Sequence, residues 1–183
     1  MKRFQKNSLF TFAALLFWTP YGWAADAGQS AEQNKSAPLP IYASKTGKNG
    51  LFPEEMISMK EVRKAQERGQ KLILLDARGK QSYDSLHISG AALPLTADYY
   101  QQEEHFRFGL VKSLPDRDKD LAVSMAKYPK DALLVTYCND DCQASAVLLL
   151  QLKRLGFTKA LAMTEGIQTW QAAGYSVVSA DKF

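Results

Sequence analysis

The chain is poor in side chains that hold metals or form cross-links. Its 183 residues include two cysteines, two histidines and five methionines. His87 and His105 lie far from the cysteines in sequence, and the methionines form no cluster. Two thiols at close spacing suit Cu(I), but this ligand set is thin, and a metal is not expected. No internal repeat is visible. There is no basic stripe of the kind that tracks nucleic acid and no amphipathic basic helix for a membrane surface. One long apolar run exists, Leu9 to Trp18, and it is shorter than the about 20 residues that a membrane span needs.

That run has a context. Lys2, Arg3 and Lys6 precede it, Pro20 and Gly22 follow, and small residues at Gly22 and Ala24 fit cleavage after Ala24. This is the layout of a secretory signal peptide over residues 1–24. It predicts a bacterial protein that is periplasmic or secreted, without a stable membrane anchor. The segment carries three of the 23 basic residues and none of the 19 acidic ones, so the remainder is near neutral. Residues 25–52 are rich in Ala, Ser, Lys, Gly and Pro without periodicity, and read as a flexible leader with a short ordered piece at Leu39–Ala43. Residues 53–183 then form one domain, large enough for a core.

Within that domain strand and helix patterns alternate. Met59 to Arg68 has helical composition and stops at Gly69. Lys71 to Ala77 and Ala132 to Tyr137 are buried-strand runs, and Lys159 to Met163 is a third. Ser82 to Leu86 reads as a helical turn or two, and Gly90 to Leu95 as a short extended piece. Leu121 to Tyr128 is helical and stops before Pro129. Ala144 to Leu155 is an apolar-rich helix closed by Gly156, and Ile167 to Ala173 is a short one. Between Leu95 and Arg117 a long connection carries five aromatic or histidine side chains. It reads as a lid or partner surface, or as aromatics packed on the domain edge. Strands that are apolar throughout, separated by helices, predict a parallel sheet covered on both faces.

In such sheets sites lie at the carboxyl ends of strands. Two polar stretches fall there: Asp76-Ala77-Arg78 and Cys138-Asn139-Asp140-Asp141-Cys142. Cys138 stands at a strand end with a helix a few residues later. Backbone N–H groups at such a place face an anion and can lower a thiol pKa. That makes Cys138 a candidate nucleophile.

At this point the chain resembles the rhodanese family. The residues that carry the resemblance are Asp76 and Arg78 after a buried strand, then His87, Ile88, Gly90 and Ala91. They continue with the loop and helix from Cys138, and close with Gly166, Ile167, Trp170 and Gly174. The resemblance spans about residues 55 to 180. It implies a three-layer α/β domain around a mostly parallel five-stranded sheet flanked by helices. It implies that Cys138 carries sulfane sulfur as a persulfide, held by the N–H groups of Asn139, Asp140, Asp141, Cys142, Gln143 and Ala144. Asp76, Arg78 and His87 match positions that are structural and near the site. The resemblance implies no metal or organic cofactor, and as partners a small sulfur-containing donor and a thiol acceptor, a protein thiol among the candidates.

The loop departs from the family twice. Asp141 stands where a glycine is usual, and Gln143 where an arginine often binds thiosulfate. A carboxylate about 6 Å from a thiolate costs roughly 0.7 to 3 kcal/mol for effective dielectrics between 80 and 20. Two aspartates therefore oppose the helix terminus and repel a dianionic donor. The second departure is Cys142. In a helix-like turn its Cα lies about 6 Å from that of Cys138, within the range that disulfides accept. Three readings stay open: a sulfurtransferase using Cys138, a thiol–disulfide protein cycling Cys138 and Cys142, and a binding module that kept the fold.

Overall fold

The computed structural model describes residues 50–180. The signal-peptide segment and residues 25–49 of the leader lie outside the described residues. Leu51, which the sequence division places in the leader, is 2% exposed and belongs to the core.

After a 3-10 turn at Pro53–Glu55 come β1 (Met56–Ile57), α1 (Met59–Glu67), β2 (Leu72–Asp76), α2 (Lys80–Ser85) and β3 (His87–Ile88). Then follow α3 (Ala97–Arg107), α4 (Arg117–Met125), β4 (Leu133–Tyr137), α5 (Ala144–Arg154), β5 (Ala160–Met163), α6 (Ile167–Ala172) and β6 (Val177–Val178). The main sheet is parallel, in the order β1-β5-β4-β2. The fifth strand position is a single parallel bridge from Leu75 to Ala92, inside the stretch expected to be extended. Pro94 ends it, because proline offers no ladder donor. β3 and β6 pair separately, antiparallel.

Two apolar clusters cover the two faces. One gathers α3, α4 and α5, through Tyr99, Tyr100, Leu121, Met125, Leu148, Leu149 and Leu152, over Leu75, Leu134 and Cys138. The other gathers α1 and α6, through Met59, Val62, Ile167 and Trp170, over Leu74, Val135 and Tyr137. Strand side chains alternate between faces. Consecutive residues of β4 and its loop are therefore divided: Val135 and Tyr137 to one side, Leu134, Thr136 and Cys138 to the other.

Local chemistry explains the ends. Ser58 and Glu61 form a reciprocal capping box at the start of α1. Gly156 closes α5 with φ of 86°, a conformation that favours glycine. The long 95–117 connection holds α3, which the sequence pattern hides. Thr96 caps it by accepting the Tyr99 N–H at 3.1 Å and donates to Asp120 at 2.6 Å, tying it to α4. Of its aromatics, Tyr99 and Tyr100 are core residues, while Phe106 and Phe108 are exposed. Among the described residues no helix is long and apolar enough to cross a membrane.

Candidate active site

β2 and β4 end side by side, with Asp76 in register with Tyr137. The chain therefore brings Asp76 and Tyr137 together on one face of the sheet at its carboxyl end, and the next residue of β4's chain, Cys138, falls on the other face.

On the α1/α6 face, Asp76 is fully buried. Its Oδ2 accepts the Tyr137 hydroxyl at 2.7 Å and the Arg78 Nη2 at 2.7 Å, and its Oδ1 accepts Arg78 Nε and the Arg78 backbone N–H, both at 2.9 Å. Arg78 also donates to the Leu86 carbonyl, and the Ile88 N–H reaches the Tyr137 oxygen at 3.2 Å. Burial and the Asp76 carboxylate push the Tyr137 phenol up, so it stays a donor. His87 is buried, stacks on Tyr83 at 3.7 Å and donates from Nδ1 to the Tyr83 carbonyl at 2.8 Å. Asp76 and Arg78 thus brace the strand ends behind the cysteine by pairing with each other, and His87 is tied to Tyr83 beside them.

On the other face stands the cysteine loop. Cys138 is 3% exposed. Its thiol meets the carbonyls of Cys142 at 3.0 Å and Asn139 at 3.4 Å, and the Ser145 hydroxyl at 3.4 Å. Burial pushes this thiol up, and the neighbouring Cys142 thiol adds to that, while the hydroxyl and N–H of Ser145 pull it down. From the sequence, a helix terminus that lowers it stood against two aspartates that raise it. Here desolvation wins, because the thiol sits under the loop rather than at its mouth. Cys142 is half-buried, and its sulfur accepts the Ala144 N–H at 3.3 Å. Gln143, the N-cap of α5, makes no side-chain cap bond. The two sulfurs stand in its place: the first helical N–H points at Cys142, the second at Cys138. Both cysteines are thiols.

The expected cradle of six loop N–H groups is only partly available. The Asp140 N–H goes to Gln168 Oε1 at 3.0 Å, that of Cys142 to the Asn139 carbonyl at 3.2 Å, and that of Ala144 to the Cys142 sulfur. Asp140 was expected to bind substrate. Its carboxylate caps α6, accepting the Gly166 N–H at 2.6 Å and the Thr169 hydroxyl at 3.0 Å. The Cys138 carbonyl takes the Ile167 N–H at 2.9 Å. Loop and helix approach so closely that a Cβ on Gly166 would lie 2.1 Å from the Asp140 nitrogen. Asn139, Asp141 and Gln143 are exposed. Asn139, Asp140, Asp141, Cys142 and Gln168 line a shallow depression of about 350 Å³. A larger concavity of about 700 Å³ lies at the opposite, amino-terminal ends of the strands, away from any thiol.

The residues that sequence reasoning missed are Ser145, Thr136, Thr169, Gln168 and Tyr137. Thr136 anchors the first turn of α5 by donating to the Ser145 carbonyl at 2.8 Å. The equal spacing of Asp76 and Tyr137 from their strand starts could have paired those two. Nothing local marks Thr169 or Gln168, which reach the loop from 26 or more residues away. Among the described residues no group of three or more His, Cys, Asp or Glu side chains is placed to hold a metal ion.

Comparisons with known proteins bear on the family and the fold. Residues 58–173 match the family model of the rhodanese-like domain. A curated relative from Mycobacterium tuberculosis, described as a probable adenylyltransferase/sulfurtransferase MoeZ, is 32% identical over 114 residues, 62% of this chain and 24% of the relative. The chain thus spans about a quarter of that protein's length. Among solved structures, a Bacillus halodurans protein superposes with a TM-score of 0.51 at 16% identity, covering 69% of this chain and 78% of the other. The rhodanese-like domain of an Anabaena protein gives 0.51 at 17% identity, covering 70% and 82%. At these identities the superpositions speak for the fold alone. With the matched model covering more than half of its length, the chain belongs to the rhodanese-like domain family.

Proposed function

We propose that this chain is an exported sulfurtransferase that carries sulfane sulfur as a persulfide on Cys138. The observation that carries the reading is the position of Cys138: at the carboxyl end of β4, under the first turn of α5, with the Ser145 hydroxyl and N–H at its sulfur. The family and the description of the Mycobacterium relative support the same reaction class. The thiolate attacks the outer sulfur of a donor R–S–SH. A new S–S bond forms, the donor's S–S bond breaks, and RS⁻ leaves with the electron pair. An acceptor thiol then takes the sulfur from Cys138 in the same way.

The depression beside the loop contains Asp140 and Asp141 and no basic side chain. A dianion such as thiosulfate meets repulsion there, so a thiol persulfide is the expected donor and a thiol, on a small molecule or a protein, the acceptor. Export rests on the charged and apolar layout of residues 1–24. A second reading, a thiol–disulfide cycle, is favoured by the closeness of the two residues, with the Cys138 sulfur 3.0 Å from the Cys142 carbonyl.

One experiment separates the readings. Intact mass is taken before and after the reduced protein meets a persulfide donor. A gain of one sulfur atom, lost on adding cyanide, supports sulfur carriage. A species two hydrogens lighter, with no sulfur gain, overturns it in favour of the dithiol cycle.

A further inference from the structure

The two sulfurs differ in access, and the difference runs against the expected order of reaction. Cys138 is 3% exposed, and its sulfur is overlaid by the Asn139 and Cys142 carbonyls of its own loop. Carbonyl oxygens there repel an incoming anionic donor. Cys142 lines the open depression together with Asn139, Asp140, Asp141 and Gln168, and Cys138 does not. The Cys142 sulfur also receives the Ala144 N–H, a donor that a sulfur anion can use. The Cys138 sulfur lies 3.0 Å from the Cys142 carbonyl, which holds the two residues together. The outer position is therefore open and served by a donor, and the inner position is closed and reached through the outer one.

We propose that Cys142 is the entry sulfur of the site: it takes sulfane sulfur from the donor first and hands it inward to Cys138. This rests on the sulfurtransferase reading above. In the first step the Cys142 thiolate attacks the outer sulfur of R–S–SH. The Cys142–sulfur bond forms, the donor S–S bond breaks, and RS⁻ departs. In the second step the Cys138 sulfur attacks the outer sulfur of the Cys142 persulfide. The bond to Cys138 forms, the bond to Cys142 breaks, and the proton of the Cys138 thiol passes to the departing Cys142 sulfur. The sum is Cys142–S–SH and Cys138–SH becoming Cys142–SH and Cys138–S–SH. Nothing is oxidised or reduced, and no further reagent is needed.

The test uses glutathione persulfide as the donor, with wild type, Cys142→Ser and Cys138→Ser, each reduced, quenched over a time course and mapped by peptide mass. Cys138→Ser is expected to gain one sulfur on Cys142 at the wild-type rate. Cys142→Ser is expected to load Cys138 about tenfold or more slowly, since access limits exchange. Iodoacetamide on reduced wild type, which needs no substitution, is expected to label Cys142 ahead of Cys138. Loading of Cys142→Ser at the wild-type rate, or labelling of Cys138 first, overturns the relay and leaves sulfur carriage intact. A wild type that gains no sulfur overturns sulfur carriage itself, and the relay with it.

Discussion

Tyr137 and Cys138 are neighbours in the chain and sit in opposite environments. Tyr137 belongs to a network in which a carboxylate, a guanidinium, a phenol and backbone groups satisfy each other. Cys138 faces two carbonyls, a hydroxyl and a second thiol. The first site is complete and has nothing left to offer a ligand. The second is held together by bonds to α6 and keeps its sulfurs for chemistry. The comparison teaches that the braced face fixes where β2 and β4 end, and so fixes the starting point of the reactive loop.

The sharpest way to break the braced face is Asp76→Ala. It leaves Arg78 and the Tyr137 hydroxyl without their buried partner. Losing one member of a buried pair costs about 3 to 5 kcal/mol, read from denaturant melts. The order in which the cysteines are alkylated should survive in the folded fraction, because Asp76 does not touch them.

Gly166→Ala attacks the seam between loop and α6. A Cβ 2.1 Å from the Asp140 nitrogen forces backbone movement. A loss of about 1 to 3 kcal/mol is expected from such crowding, with a change in the relative alkylation rates of Cys138 and Cys142. Stability loss with unchanged rates would show that the seam does not set the loop's geometry.

Asp140→Ala removes the cap supplied to α6 by the cysteine loop. Helix capping predicts a loss of about 0.5 to 2 kcal/mol. An unchanged melt would show that these contacts do not stabilise α6.

The smallest effect is in pH dependence. Burial, then the Cys142 thiol, holds Cys138 above its ordinary value of 9.0 in the folded protein. A thiol raised by folding contributes stability that is fully present below that value. The contribution is lost as pH rises through the higher folded value. Stability should decline on the alkaline side, and Cys138→Ser should flatten that decline. A decline of equal slope in the variant would assign it to other groups.

Much of the architecture is legible in the residues. The runs Leu72–Asp76, Leu133–Tyr137 and Ala160–Met163 are apolar because both faces of the sheet are covered. α5 announces itself by its apolar content and by Gly156. α3 does not, since only Tyr99 and Tyr100 of its eleven residues are buried, so its apolar stripe is too narrow to show a period. β1, β3 and β6 are two residues each, below the length at which alternation can be seen. At the site, the cysteine loop is legible because two cysteines, two aspartates and an asparagine follow a buried strand. The role of Asp140 is not legible, because its partners Gly166 and Thr169 come from another element.

By itself the sequence determined the layered α/β plan, the position of Cys138 at a strand end and the spacing of the cysteine pair. These follow from local periodicity and from residues a few positions apart. The tertiary structure alone decided which sulfur is buried, which way the carbonyls of the loop point and what Asp140 holds. Those depend on how closely α6 approaches the loop and how the first turn of α5 sits on Thr136. Such contacts form between segments far apart in the chain, where no local pattern records them.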